Sequence, residues 1–300
     1  MYSKILVPLD GSETAEQVLS VVRVLSAGLK IPLELLGVVD ISVATAQVAA
    51  NKARYLDGLI AAGEKSLVAY LAKTAVSLAS LEVDCVVERG KPADVIIAKA
   101  AADKRLLIAM ATHGWTGLNR WLLGSVTEKV LRATNNHVFL VRACDSGAVD
   151  NGSTLKSVLV PLDGSALAEA VLPAAVEFAK VLDLEMLLFR AYDLPASAYY
   201  GREDYLPDYA ALKKNIESEA REYLDEQVIA LNAQGILKVR PVLAEGPVAA
   251  EIIRLTAAHP ELLAAMCTHG RSGVKRWVLG SVTEKVLRHS QGPMLVVRGL

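Results

Sequence analysis

Thr112-His-Gly-Trp-Thr-Gly-Leu-Asn-Arg-Trp-Leu-Leu-Gly-Ser-Val-Thr-Glu-Lys-Val-Leu-Arg132 occurs twice in this chain. The second copy is Thr268-His-Gly-Arg-Ser-Gly-Val-Lys-Arg-Trp-Val-Leu-Gly-Ser-Val-Thr-Glu-Lys-Val-Leu-Arg288, and five of 21 positions differ. A match of that length is an internal repeat, so the chain reads as two copies of one domain. Each copy follows a short apolar run, Leu106 to Met110 and Leu262 to Met266, and carries Gly-Ser where an apolar-periodic segment begins. Strand, glycine-rich loop and helix N-terminus make a geometry in which unbonded backbone N–H groups and the positive helix end hold an anion.

The repeat extends outward from there. Residues 4–9 read as a buried strand ending at Asp10-Gly-Ser12, and the same text returns at residues 158–162 before Asp163-Gly-Ser165. Ser12 and Ser165 are natural N-caps for helices with Ala15, Val18, Leu19, Val22 and Leu25, or Ala168, Val171, Leu172, Ala175 and Leu182, on one face. Second strands are expected at 33–39 and 185–192, third strands near 82–88 and 238–243, and last strands at 137–142 and 293–298. Long amphipathic helices follow the second strands, with Leu56, Leu59, Ile60, Leu67 and Leu71 in one half and Leu212, Ile216, Tyr223, Leu224 and Leu231 in the other. Gly90 and Gly246 close the third strands, and Pro92 and Pro247 open the next helices.

Strand and helix thus alternate through each half, which predicts an α/β protein with two tandem open parallel five-stranded sheets, helices on both faces. The expected boundaries are 1–144 for the first domain, 145–154 for a polar linker and 155–300 for the second. Asp10 and Asp163 are 153 residues apart, whereas His113 and His269 are 156 apart. The three extra residues are assigned to the Pro- and Tyr-rich stretch 194–207, read as a surface loop or lid. Ligands of such sheets bind beyond the carboxyl ends of the strands, where the strand order reverses. With the first and fourth strands adjacent, Asp10 and residues 111–127 face one crevice, and Asp163 and residues 267–283 face the other.

Composition narrows the function. Apolar residues make up 53% and mean hydropathy is +0.34, as strands buried on both faces require. No apolar run approaches the ~20 residues of a membrane span, and Met1 to Asp10 enters a strand without a signal-peptide pattern. A cytoplasmic location is expected. A net charge of −1 gives no footprint for nucleic acid. Cys85, Cys144 and Cys267 are widely spaced and read as idle thiols in a reducing compartment. There is no Walker-type phosphate loop, metal-ligand cluster or nucleophile elbow, so no catalytic set emerges.

Both halves resemble the universal stress protein domain, over nearly the whole length of the chain. Nucleotide-binding members carry Gly, two residues, Gly, nine residues, Gly, then Ser or Thr. Here Gly114 with Gly124-Ser125 and Gly270 with Gly280-Ser281 fit, while Ala111 and Cys267 stand where the pattern begins with Gly. The resemblance places the strand-one Asp of the family on Asp10 and Asp163, and its backbone contact to adenine on Val38 and Ala191. It implies a Rossmann-like sheet of the adenine-nucleotide alpha-hydrolase type that holds ATP, with Mg2+ as the accompanying ion. The implied phosphate cradle is Ala111, Gly114, Gly124, Ser125, Val126 and Thr127, and in the second half Cys267, Gly270, Gly280, Ser281, Val282 and Thr283. The implied role is a stress-response regulator with weak turnover or none; an empty scaffold and a slow ATPase or phosphotransferase are the alternatives. The resemblance also implies pairing of the last strands into an intramolecular pseudo-dimer, and leaves a homodimer open.

Purely structural readings compete at several places. Ser125-Val-Thr-Glu128 and Ser281-Val-Thr-Glu284 fit the capping box. Asp10 and Asp163 suit a tight turn, His113 and His269 suit loop hydrogen bonds, and Trp121 and Trp277 suit packing. A Cβ at residue 111 or 267 costs about 1–2 kcal/mol where φ must be positive and little where it is ordinary. Arg271 and Lys275 replace Trp115 and Asn119, so the second loop is expected to hold a triphosphate more tightly.

Overall fold

The computed structural model describes residues 2–41, 53–112, 123–142, 155–193, 209–268 and 279–299. The polar linker, stretch 194–207, both His-Gly loops, Gly114 and Gly270 lie outside the described residues. Two compact units result, Met1–Thr154 with Pro293–Arg298, and Leu155–Gly292 with Gly299–Leu300.

The first unit runs β1 (Lys4–Pro8), α1 (Glu13–Glu16), α2 (Leu19–Leu29), β2 (Leu33–Asp40), α3 (Ala53–Val76), β3 (Val83–Gly90), α4 (Pro92–Ala102), β4 (Leu106–Ala111), α5 (Ser125–Ala133) and β5 (Val138–Val141). The second repeats it as β6 (Ser157–Pro161), α6 (Ala166–Glu169), α7 (Leu172–Leu182), β7 (Glu185–Tyr192), α8 (Tyr209–Ala233), β8 (Val239–Glu245), α9 (Val248–Ala258), β9 (Leu262–Cys267) and α10 (Ser281–His289). The chain's last strand, β10 (Met294–Val297), belongs to the first unit and pairs antiparallel with β5, Met294 opposite Leu140.

Strand order is β3-β2-β1-β4-β5-β10 in the first unit and β9-β6-β7-β8 in the second, parallel throughout except at β10. The expected neighbours are therefore adjacent: Ile5 lies beside Leu107 and Val158 beside Leu263. This is the place where strand order reverses. β4 and β9, flanked by the repeat, are buried at every position, whereas β3 and β8 reach solvent. Alternation is absent from the buried strands because both faces are covered. The last strand of the first half lies between β4 and β10 and is fully buried.

Local chemistry revises three expectations. Each first helix is broken into two: Pro173 has no N–H to continue α6 into α7, and in the first unit the Ser20 hydroxyl donates to the Gln17 carbonyl at the same place, 3.3 Å away. Pro92 opens α4 as expected, but Pro247 is the N-cap residue of α9 rather than its first helical residue. Leu59, assigned to the apolar face of α3, is 62% exposed, while Leu71 and Leu78 are fully buried.

The three extra residues fall elsewhere than expected. Tyr223 donates to Glu169 Oε1 at 2.8 Å, and Tyr70 lies in the field of Glu16, so both pairs keep a spacing of 153. Val83 and Val239, which begin the third strands, are 156 apart. The extra length lies between Leu231 and Val239, in a turn where Gly235 takes φ +83°. A left-handed residue there favours glycine.

Candidate functional site

The second unit holds a cavity of about 430 Å³ at the carboxyl end of β6, β7 and β9. Its wall brings together Asp163, Ala191, Cys267, Gly280, Ser281, Val282 and Thr283, seven of the residues assigned to this half from the sequence; the eighth, Gly270, lies outside the described residues. Pro161, Leu162, Phe189 and Met266 supply apolar surface and Arg190 supplies a cation. The volume falls within the ~300–1,000 Å³ of small-molecule sites.

Each polar group has an identifiable position. Asp163 follows β6 and accepts at Oδ1 from the Ser165 backbone N–H (2.9 Å) and hydroxyl (2.6 Å). The Ser165 hydroxyl oxygen in turn accepts from the Ala168 N–H at 3.1 Å, so the expected N-cap is made. Asp10, Ser12 and Ala15 form the same turn in the first unit, with distances of 3.0, 2.6 and 3.1 Å. The turn reading of both aspartates is thus realised through one carboxylate oxygen. It leaves the other oxygen of Asp163 outside that turn.

The helix starts differ from the capping box. Gly124 and Gly280, rather than the serines, are the N-cap residues of α5 and α10, and neither cap carries a side-chain hydrogen bond. Glu128 and Glu284 bond forward instead, to Arg132 and Arg288 at 2.8 and 2.9 Å. The backbone N–H groups of Ser281, Val282 and Thr283 thus begin a nine-residue helix without a capping acceptor among the described residues. Gly124 N donates to Thr112 O at 2.8 Å, and Gly280 N to Thr268 O, which ties each helix start to the end of its strand.

The threonine hydroxyls do a different job from the one expected of phosphate donors. Thr127 Oγ1 donates to Ala111 O at 3.2 Å and Thr283 Oγ1 to Cys267 O at 2.7 Å. Both side chains are buried and fasten helix to strand. Ala111 and Cys267 are buried strand ends, and the positive-φ residues other than glycine are Lys30 and Asp183 among the described residues. A Cβ at 111 or 267 therefore costs no backbone strain. Burial pushes the Cys267 thiol up to about 12, so it lines the wall as a neutral group.

In the first unit Asp10, Ala111, Gly124, Ser125, Val126 and Thr127 occupy equivalent places at the carboxyl ends of β1 and β4, and Val38 lies near the end of β2 beside Glu88. The two units differ at one position sequence reading passed over. Arg190 aligns with Gly37, and its guanidinium lies over the Tyr223 ring, 4.8 Å from the centroid.

A family model for the universal stress protein family matches residues 1–142 and again 154–298. The chain belongs to the universal stress protein family. A universal stress protein of Methanocaldococcus jannaschii is 29% identical over 154 residues, 50% of this chain and 86% of its own length. A relative from Staphylococcus saprophyticus is 33% identical over 146 residues, 48% of this chain and 84% of its own. A solved universal stress protein from Archaeoglobus fulgidus superposes with a TM-score of 0.70 at 20% identity, covering 99% of each chain. That likeness is one of fold and extends over nearly the whole of both chains. No helix among the described residues is long and apolar enough to cross a membrane.

Proposed function

We propose that this universal stress protein binds an adenine nucleotide, ATP, in the cavity of its second unit and acts as a regulator that reports nucleotide occupancy. The observation that carries the reading is the convergence on one cavity of Asp163, Ala191, Cys267 and Gly280 to Thr283. The triphosphate lies against the uncapped N-terminus of α10, where three N–H groups and the helix dipole favour negative charge. The nucleoside end lies toward Asp163 and Ala191, against the apolar wall. Mg2+ enters through the phosphates, since no group of three or more His, Cys, Asp or Glu that could hold a metal occurs among the described residues. Holding rather than turnover suits a wall whose cysteine is a neutral thiol and whose aspartate is engaged in a turn. Occupancy of the first unit by the same ligand, a cytoplasmic location and a homodimer belong to the same reading.

Heat denaturation of purified protein, followed by chromatography of what is released, tests it. Retained adenine nucleotide, or calorimetric binding of added ATP that is lost in Gly280→Asp, is expected. Absence of both at millimolar ATP would overturn it.

A further inference from the structure

The two units carry a coupled exchange of large for small. Arg190 of β7 aligns with Gly37 of β2, and Ala220 of α8 aligns with Leu67 of α3, all at the spacing of 153 that the Tyr–Glu pairs fix. In the first unit a Cβ on Gly37 would meet Leu67 at 3.3 Å, so that leucine fills the space a longer side chain would need. In the second unit the small Ala220 replaces it, and Arg190 runs out between strand and helix.

Its end point is defined. The guanidinium carbon lies over the Tyr223 ring, whose hydroxyl is pinned by Glu169, and Nη1 reaches within 3.7 Å of where a Cβ on Gly164 would sit. That is the turn immediately after Asp163, on the cavity rim. Among the described residues no carboxylate lies within ion-pair distance of this guanidinium, whereas Lys213 is paired with Glu245 and Arg240 with Glu185. A guanidinium held over a ring without an ion-pair partner keeps N–H donors for acceptors, and its fork of donors matches phosphate oxygens two at a time. Asp163 and Glu169 both lie near the Tyr223 ring, and Glu169 is engaged by the Tyr223 hydroxyl.

We propose that Arg190 is a specificity-determining residue that lets the second-unit cavity recognise adenine nucleotides carrying a phosphate ester on the ribose, in addition to the 5′-phosphate. The inference rests on the nucleotide reading above, which turns the sugar toward Asp163 and thus toward this arginine. A polar edge read by a well-placed arginine separates ligands by an added phosphate, as in dinucleotide sites where an arginine accommodates a ribose phosphate. The first unit, with Gly37 and Leu67, lacks the device.

Calorimetric titration of the full chain with AMP, adenosine 2′,5′-bisphosphate and adenosine 3′,5′-bisphosphate tests it, in wild type and in Arg190→Gln. The wild type is expected to bind one of the bisphosphates at least tenfold more tightly than AMP, the two isomers telling which ribose oxygen is read. Arg190→Gln is expected to erase that preference, so that neither bisphosphate binds the variant more tightly than AMP does. A preference that is absent, or that survives Arg190→Gln, overturns the role of Arg190 and leaves nucleotide binding standing. An equal loss for all three ligands also overturns it, because it marks a counter-charge for Asp163 rather than a contact. Wild type that binds none of the three, nor ATP, sinks the nucleotide reading itself. Thermal denaturation of the variant, expected to match wild type within a few degrees, keeps a folding defect apart from these outcomes.

Discussion

Thr283→Val separates a hydroxyl that binds ligand from one that holds the site together. Thr283 is buried, and its Oγ1 donates to the carbonyl of Cys267, the last residue of the fully buried strand β9. Valine is close to threonine in shape, so the change removes the donor and little packing. A buried acceptor deprived of its donor costs about 1–3 kcal/mol. For a unit of roughly 150 residues each kcal/mol lowers Tm by about 2–4 °C, so a fall of about 2–12 °C is expected. ATP affinity, measured by calorimetry well below the transition, is expected to stay within about threefold. The opposite pattern would refute the reasoning: unchanged Tm with a tenfold or greater loss of affinity, the cost of a hydrogen bond to a charged group, about 1.5–3 kcal/mol. Thr127→Val makes the internal comparison, and its longer bond of 3.2 Å predicts a smaller fall.

Glu34, with a side chain 5% exposed, is held by Lys4 and, at 2.7 Å, by Lys99; the second unit has Leu187 and Leu255 at the places of Glu34 and Lys99. Glu34→Leu alone is expected to cost about 2–3 kcal/mol in urea denaturation, and Glu34→Leu with Lys99→Leu to lie within about 1 kcal/mol of wild type. Burial raises the Glu34 carboxyl, but Lys4 and Lys99 outweigh it and the net shift is below the ordinary value. The ion pairs therefore stabilise fully above the unfolded value, near pH 4.5, and that contribution is lost as pH falls through the lower folded value. The double variant should show a flatter acid limb than wild type. Gly292→Ala is expected to destabilise by about 1–3 kcal/mol, because its Cβ would sit 2.9 Å from the Leu262 carbonyl oxygen, whereas Gly58→Ala on α3 meets nothing within 4 Å and should stabilise slightly. Alkylation of native protein followed by mass spectrometry should label exposed Cys85 ahead of buried Cys267.

Sequence alone carried the repeat, the α/β class and the meeting of Asp163 with residues 280–283, since apolar runs and Gly-Ser junctions are local signals that long-range packing did not override. It misjudged what rests on hydrogen-bond competition. Ser125 and Ser281 looked like caps by spelling, but the helices start one residue earlier, and Glu128 and Glu284 find arginines one turn on. Thr127 and Thr283 looked like ligand donors, yet the nearest acceptor was a strand carbonyl 16 residues back. Arg190 escaped notice because its meaning depends on Tyr223, 33 residues away. Aligning it with Gly37, and Ala220 with Leu67, would have exposed the exchange.

The strand β10 has a consequence for how the molecule is made. Its partner β5 leaves the ribosome more than 150 residues before Met294 does. During that interval the first unit waits with one hydrogen-bonding flank bare, so a lesion at Met294 to Val297, all buried, would be felt in chaperone dependence as well as in final stability.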